Sequence, residues 1–438
     1  AGIRFVTEMC KMRAFVDLWD EICETRYGVE NPKYRRFRYG VQVNSLGLTE
    51  QQPENNVYRI LIEMLAVTLS KNARARAVQL PAWNEALGLP RPWDQQWSMR
   101  MQQIMAFETD LLEYEDLFDG NPTIEAKVAR LKDEARHELA SLDALGGAIE
   151  AIGYMKSRLV ESNTQRLNKI ASKETTVVGV NKFTTGEPSP LTAGDGGIMT
   201  VDPAVEQDQV DRLNAWRCAR DDASVASALR SLRAAAQAGE NIMPASIAAA
   251  KAGVTTGEWA AQMRLIYGEY RGPTGVARGV SNKSEGLDEI SEAVDLVSQK
   301  LGRRLGFLMG KPGLDGHSNG AEQIAARARD CGMEIAYDGI RLTPEQLIAS
   351  VQEHQPHVIG LSILSGSHIP LVEDMMKRLQ LAQLDNIPVV VGGIIPQEDM
   401  TRLTAMGVAK IYTPKDFELN AIMMDIVSLA DPTDLAAE

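Results

Sequence analysis

The sequence of 438 residues predicts an α/β protein of two or three domains. From residue 301 onward, five short apolar runs alternate with five helical runs, which is typical of a doubly wound parallel sheet. The first 170 residues also follow strand–helix–strand order, but only two strands are predicted there. Between these parts, Pro and Gly interrupt the periodicity around an Ala-rich stretch. The chain therefore divides into residues 1–170, a linker with helices over 171–300, and a final domain over 301–438.

The first part combines amphipathic helices with two short strands. Helices are predicted where apolar residues recur at helical spacing, over 1–27, 55–70, 93–110 and most of 121–170. Strands are predicted over 36–46 and 74–80. Because two parallel strands cannot bury both faces, we expect this segment to belong to a larger sheet or barrel. The chain starts at Ala1, without Met and inside a helical pattern, so we expect an upstream piece to be missing.

The middle and final parts differ in regularity. Helices in the linker are expected mainly over 204–266, and composition leaves a small helical domain open as an alternative. The predicted strands of the final domain are 304–309, 333–337, 357–363, 387–392 and 408–412. Its predicted helices are 320–331, 343–354, 369–383, 396–406 and 417–430.

Composition restricts the classes of partner. The net charge of −13 argues against nonspecific nucleic-acid binding, which depends on basic residues. No apolar run approaches the roughly 18 residues of a membrane span, and no signal peptide is recognisable. The four cysteines are scattered without a CxxC pair, so reduced thiols are favoured over a zinc site. We therefore expect a cytoplasmic protein with no nucleic-acid or membrane partner.

A loop after the first strand of the final domain carries the most informative residues. His317 follows Asp315 by two residues and Lys311 by six, at the carboxyl end of a predicted strand. Ligands bind at that edge of an open α/β sheet. A histidine there can bind a metal, and a nearby aspartate can accept the other ring N–H and fix the tautomer. Gly316 and Gly320 allow a sharp turn and the close approach of a bulky ligand.

Two further strand ends converge on this loop. The third predicted strand ends in Ser-Ile-Leu-Ser-Gly over 362–366, and the fourth ends in Gly392 and Gly393. Taken alone, His317 is an ordinary loop histidine and the paired glycines are a tight turn. Together they predict one crevice that holds a large, flat ligand.

These residues resemble the signature of cobalamin-binding domains that hold the cofactor base-off: Asp315-x-His317-x-x-Gly320, Ser362-x-Leu364 and Gly392-Gly393. The resemblance implies a flavodoxin-like fold with His317 as the lower cobalt ligand. It also implies that Asp315 and Lys311 extend a hydrogen-bond relay from this histidine, and that the nucleotide tail inserts beside the sheet. Residues Tyr412-Thr413-Pro414 stand where related domains line the tail pocket. The cofactor-binding residues so implied are Lys311, Asp315, Gly316, His317, Gly320, Ser362, Leu364, Gly366, Gly392, Gly393, Tyr412 and Thr413.

The first part resembles the later portion of the (β/α)8 TIM barrel of adenosylcobalamin-dependent acyl-CoA mutases. Glu85, within Trp-Asn-Glu-Ala-Leu over 83–87, matches the glutamate that contacts the adenosyl group. Gln42 matches a glutamine that faces the substrate cavity. The resemblance implies a radical carbon-skeleton rearrangement of an acyl-CoA substrate, with Gln42 and Glu85 as catalytic residues and adenosylcobalamin as cofactor. We expect a homodimer, and we expect most coenzyme A contacts in the missing front of the barrel.

Within the family, the sequences over 39–46 and 49–56 resemble members that convert ethylmalonyl-CoA to methylsuccinyl-CoA. Members that act on methylmalonyl-CoA carry His in place of Gly40 and Trp in place of Leu46. The smaller residues enlarge the space for one more carbon, although a buried methylene is worth only about 0.8 kcal/mol. Conversion of methylmalonyl-CoA to succinyl-CoA therefore stays an alternative. A second is a non-catalytic cobalamin carrier or sensor, in which the 204–266 helices cap the cofactor.

Overall fold

The computed structural model describes residues 1–432, apart from 74, 193–196, 200–201, 275–286, 414–415 and 417. Internal contacts separate it into two units, one formed by Ala1–Met199 with Pro273–Glu438 and the other by Thr200–Gly272. None of the described helices is both long and apolar enough to cross a membrane. The division at residues 170 and 300 stays a prediction.

The first part of the chain is mainly helical. Its elements are α1 (Phe5–Thr25), α2 (Pro32–Arg35), β1 (Gly40–Gln42), α3 (Asn55–Thr68), β2 (Ala77–Gln79), α4 (Pro92–Phe107), α5 (Pro122–Ala144) and α6 (Ile152–Ala171). β1 and β2 pair in parallel, with Gln42 opposite Gln79. The predicted helices are confirmed, and the stretch over 121–170 is interrupted at Gly146 and Gly147, which both have positive φ.

Both strands of this part are shorter than predicted. The strand predicted over 36–46 ends at Gln42, and Asn44 then caps a single 3₁₀ turn by accepting a hydrogen bond from the Leu46 N–H at 3.0 Å. An Asn side chain that bonds to the backbone in this way favours a turn over a strand. The second prediction, over 74–80, begins at Arg74, which lies outside the described residues, and the observed strand is Ala77–Gln79.

The second unit consists of short helices with a core of its own. These helices are α7 (Pro203–Ala219), α8 (Asp222–Gln237), α9 (Met243–Lys251) and α10 (Thr256–Tyr267). Leu232, Ala236 and Met263 are buried together, and Trp259 packs against them. A shared core of this kind favours the small helical domain that composition left open as an alternative.

The final part is the predicted doubly wound sheet. Its elements are α11 (Leu287–Leu301), β3 (Gly306–Gly310), α12 (Asn319–Asp330), β4 (Glu334–Ala336), α13 (Pro344–His354), β5 (Val358–Ile363), α14 (His368–Leu381), β6 (Val389–Gly393), α15 (Gln397–Ala405), β7 (Lys410–Tyr412) and α16 (Leu419–Leu429). The strand order is β4-β3-β5-β6-β7, with every pair parallel. This order confirms the flavodoxin-like winding.

Burial explains why the sheet was predictable. Every residue of β3 and β5 is buried, as expected for central parallel strands covered on both faces. One face packs against α11, α12 and α16, and the other against α13, α14 and α15. The winding changes direction between β3 and β5, so the loops that follow these strands separate and open a crevice at the carboxyl edge.

Candidate functional site

The loop after β3 is anchored by a buried ion pair. Lys311 is fully buried, and its Nζ donates to Oδ2 of Asp315 at 2.6 Å and to the Ser362 carbonyl at 3.4 Å. The Asp315 side chain is itself only 5% exposed. A buried lysine requires such a partner because an unpaired charge in the interior is costly. The pair therefore fixes the start of the loop against β5.

Asp315 in turn orients His317. Its Oδ1 accepts the backbone N–H of His317 at 3.0 Å and lies 2.6 Å from the ring Nδ1. The histidine side chain is 78% exposed, and its Nε2 has no partner among the described residues. In a neutral ring whose Nδ1–H donates to a carboxylate, the Nε2 lone pair is available to a metal. The arrangement leaves Nε2 of His317 exposed, on a ring that Asp315 holds in place.

Asp315 also links two loops. Its Oδ2 accepts the Leu364 N–H, which follows β5, at 3.2 Å. Burial acts to raise the pKa of Asp315, but the hydrogen bonds from Lys311 and His317 outweigh it and hold the pKa well below the usual range. The carboxylate therefore stays ionised at neutral pH and keeps its hold on the histidine.

A cavity of about 380 Å³ extends beside the sheet from this edge. Its floor is apolar and comes from strands β3, β5 and β6 and from helix α16. Of the residues predicted to bind the cofactor, the following line it: Gly320, Ser362, Leu364, Gly392, Gly393, Tyr412 and Thr413. An apolar slot with a few polar groups at its edge suits a ligand that inserts a flat, heterocyclic tail.

The glycines at the cavity differ in what a side chain added at each position would contact. A Cβ built on Gly320 or Gly392 meets no atom within 4 Å, so the missing side chains leave open space. A Cβ on Gly393 would lie 1.8 Å from the backbone oxygen of Ile363 on the neighbouring strand. Strand pairing therefore requires Gly393, whereas Gly392 and Gly320 leave room at the cavity.

The other predicted cofactor residues lie outside the cavity lining. Lys311, Asp315 and His317 occupy the loop described above, and Gly316 packs close to Arg341, whose guanidinium would be 3.1 Å from an added Cβ. Gly366 does not line the cavity either, and its Cβ position is 3.3 Å from Leu89 Cδ1.

At the rim, the last residue of β7 and the residue that follows it both donate to neighbouring carboxylates. The Tyr412 hydroxyl donates to Asp425 at 3.1 Å, and the Thr413 N–H donates to Asp416 at 2.7 Å. Burial raises the pKa of Tyr412, and Asp425 raises it further, so the hydroxyl stays protonated. Pro414, the next residue of the predicted pocket segment, lies outside the described residues.

Glu85 lies on a loop that is held in place by hydrogen bonds to a buried carboxylate. Its neighbours Trp83 and Asn84 donate to the buried Asp94 at 2.9 Å and 2.8 Å, and Arg91 pairs with the same carboxylate at 2.9 Å. Burial acts to raise the pKa of Asp94, but the bonds from Arg91, Trp83 and Asn84 lower it overall. Sequence analysis missed Asp94, although Pro92 at the first helical position followed by an acidic residue in the first turn is a recognisable helix-start signal.

Gln42 and Glu85 are not part of the cavity lining. Gln42 is exposed at the end of β1, and Glu85 is half-buried. The structure thus places these two predicted residues on the first part of the chain and the histidine relay on the final domain.

The first part of the chain also contributes a cavity wall that the sequence analysis missed. Its residues at the cavity are Leu46, Asn163, Arg166 and Leu167. Helix α6 is held against α12 by Lys156 Nζ, which is 2.7 Å from the Glu322 carboxylate, and by Thr164 Oγ1, which donates to Gln323 at 2.9 Å. The spacing of 163, 166 and 167 marks one helix face, but a single sequence does not show what that face packs against.

Comparison with known families agrees with this division. The family described as Methylmalonyl-CoA mutase matches residues 1–269, and the family described as B12 binding domain matches residues 306–416. The matches confirm the expected order of a mutase barrel-type part followed by a cobalamin-binding domain. A solved cobalamin-binding protein from Desulfitobacterium hafniense covers 49% of this chain and 98% of its own at 18% identity and a TM-score of 0.26, which is too weak a likeness to support an argument.

Individual relatives are close. An ethylmalonyl-CoA mutase from Cereibacter sphaeroides is 73% identical over 100% of this chain and 67% of its own length. Another from Methylorubrum extorquens is 60% identical over 98% of this chain and 63% of its own. A methylmalonyl-CoA mutase from Escherichia coli is 31% identical over 98% of this chain and 60% of its own. The predicted resemblance is confirmed, and the chain spans about two thirds of the length of the curated relatives it matches.

Proposed function

Because the chain belongs to the methylmalonyl-CoA mutase family, we propose that it binds adenosylcobalamin and serves the rearrangement of ethylmalonyl-CoA to methylsuccinyl-CoA. The observation that carries this proposal is the Lys311–Asp315–His317 relay, which the Leu364 N–H joins to the lining of the apolar cavity. When bound, adenosylcobalamin would supply the radical chemistry that the rearrangement requires.

The chain's own residues bind and orient the cofactor. His317 offers Nε2 to the cobalt, while Asp315 holds the ring in place and stays ionised because Lys311 is beside it. The space beside Gly392 and Gly320 accepts the displaced nucleotide tail. This division of roles explains why a charged relay lies at the rim and apolar residues lie inside.

Two residues of the first part are proposed to face the reacting groups. Glu85 stands on a loop that Asp94 rigidifies, and a carboxylate there can accept hydrogen bonds from the adenosine hydroxyls. Gln42, exposed at the end of β1, is proposed to donate to the substrate thioester carbonyl. Both groups position reactants, and the surrounding barrel is expected to exclude water.

The names of the relatives support ethylmalonyl-CoA, the larger of the two candidate substrates. The two most similar mutases given above are named for ethylmalonyl-CoA, whereas the relative named for methylmalonyl-CoA is far less identical. The test is turnover of both thioesters by the full-length protein loaded with adenosylcobalamin. We expect a higher kcat/KM for ethylmalonyl-CoA; a preference for methylmalonyl-CoA supports the alternative substrate. Tight cobalamin binding with turnover of neither thioester supports a carrier or sensor.

We also propose that the protein is a cytoplasmic homodimer that requires the remaining barrel segment for activity. Four free cysteines are compatible with a reducing compartment. The share of the relatives' length that this chain covers supports a further segment. Light scattering coupled to size exclusion on the full-length protein tests the dimer, and a monomeric mass contradicts it.

A further inference from the structure

Helix α6 brings a positive charge to a cavity whose other lining residues, apart from Asp416, are apolar or neutral. Among the described residues that line the cavity, Arg166 is the only cation and Asp416 is the only carboxylate. The Asp416 carboxylate already accepts the Thr413 N–H at 2.7 Å and the Thr413 hydroxyl at 3.3 Å. Arg166 makes no ion pair with Asp416, so its charge has no direct partner among the described residues that line the cavity.

The contacts of Arg166 leave most of its hydrogen-bonding capacity unused. One guanidinium nitrogen donates to the Leu46 carbonyl at 3.1 Å, and no carboxylate of the described chain lies within ion-pair distance. A guanidinium has five N–H donors, so this single bond fixes the group without satisfying it. The side chain is exposed, yet partial desolvation lowers its pKa. The guanidinium is therefore accessible to a ligand while it is partly shielded from water.

A second polar side chain shares this face. Asn163 lies one helical turn before Arg166, also lines the cavity, and makes no side-chain hydrogen bond with the described residues. An Arg and an Asn that project from one helix face can donate to two oxygens of the same oxyanion. The chemistry that matches them is a phosphate.

We propose that Arg166, with Asn163 beside it, binds the phosphodiester of the cobalamin nucleotide tail. This inference rests on the proposed function, because it assumes that the cavity holds that tail. The phosphodiester is the negatively charged group of the tail, whereas the side chains of the corrin are neutral amides. Arginine binds phosphate with paired N–H groups, so this residue of the first part would contribute directly to cofactor affinity.

The experiment compares two ligands on the full-length protein. Hydroxocobalamin carries the phosphodiester tail, and cobinamide lacks both the phosphate and the base. Binding is measured by spectrophotometric titration for wild type, Arg166→Gln and Arg166→Lys, with Arg158→Gln as control because Arg158 lies on the same helix away from the cavity. Arg166→Gln should weaken cobalamin binding about tenfold or more and leave cobinamide binding unchanged. Arg166→Lys should retain part of the affinity, and the control should behave like wild type.

Asn163→Ala provides an independent check if Arg166→Gln does not fold. It should weaken cobalamin binding and leave cobinamide binding unchanged, because the amide is proposed to donate to the same phosphodiester. Equal losses for both ligands in the variant, or no loss for either, overturn the assignment. If wild type binds no cobalamin at all, the proposed function itself fails, and that outcome is distinct from the others.

Discussion

At the residue scale, the site depends on one short loop, and the sequence predicts that its three polar side chains lie close together. Lys311, Asp315 and His317 lie within seven positions of each other, so their proximity follows from the chain itself. The burial of Lys311 and the bond from Leu364 to Asp315 could not be predicted, because both depend on how β5 lies beside β3. Arg166 was missed for the same reason, since it approaches the cavity from a distant helix.

Replacing Asp315 by Asn should destabilise the protein strongly. The change leaves the fully buried Lys311 charge without its carboxylate, and breaking a buried pair costs about 3–5 kcal/mol. The matched control is Glu373→Gln, whose exposed pair with Lys377 is worth about 0–1 kcal/mol. Urea unfolding measures both. A loss for Asp315→Asn no larger than that of the control contradicts a stabilising role for the buried pair.

The same carboxylate should make stability depend on pH in one direction. Since the folded-state pKa of Asp315 is depressed, its contribution is fully present above the unfolded pKa of about 3.9 and is lost as pH falls below it. The difference in unfolding free energy between wild type and Asp315→Asn should therefore be constant near neutral pH and shrink below about pH 4. Urea titrations at several pH values measure this difference. If the difference widens on acidification, the sign of the pKa shift is wrong.

At the scale of elements, the sheet was predictable because its three central strands are mainly apolar and buried. All five strands of the final domain lie within two residues of their predicted bounds. The length of the strand predicted over 36–46 was overestimated, because Asn44 caps a turn after β1. The alternation of apolar and polar residues does not indicate that turn. Helix α11 was not predicted as a separate element, because it follows residues where Gly and Pro interrupt the pattern.

The end of β6 offers a matched pair of glycine substitutions. Gly392→Val places methyl groups in open cavity space, so stability should change by less than about 1 kcal/mol while cobalamin affinity falls about tenfold. Gly393→Ala forces a Cβ against the Ile363 backbone, so it should disrupt the β5–β6 pairing and destabilise the fold. Calorimetry and cobalamin titration separate the two effects. Unchanged cobalamin affinity in Gly392→Val would show that the tail does not occupy this space.

At the scale of the whole molecule, the least predictable feature is the packing of α6 on α12. Lys156 and Glu322 are separated by 166 positions, and no local pattern indicates that they pair. Leu46, which the sequence analysis assigned to substrate size, lies at the same cavity. The first part of the chain therefore forms part of the wall of the cavity that is proposed to hold the cofactor.

Breaking the ion pair between Lys156 and Glu322 should destabilise the packing of α6 on α12. Lys156→Met leaves the Glu322 carboxylate, whose side chain is 7% exposed, without its cation and should cost about 1–3 kcal/mol. Arg130→Met removes an exposed pair with Glu134 and should cost little. Scanning calorimetry compares the two unfolding midpoints. Equal midpoints contradict a structural role for the α6–α12 ion pair.

The most direct test of the account concerns the atom that binds the cobalt. Full-length protein labelled with ¹⁵N only in histidine is loaded with cob(II)alamin and examined by electron paramagnetic resonance. Coordination by His317 Nε2 predicts that the nitrogen superhyperfine triplet seen with unlabelled protein becomes a doublet, and that His317→Ala removes this signal. A triplet that survives histidine labelling would show that the cobalamin keeps its own base on the metal and would contradict the account.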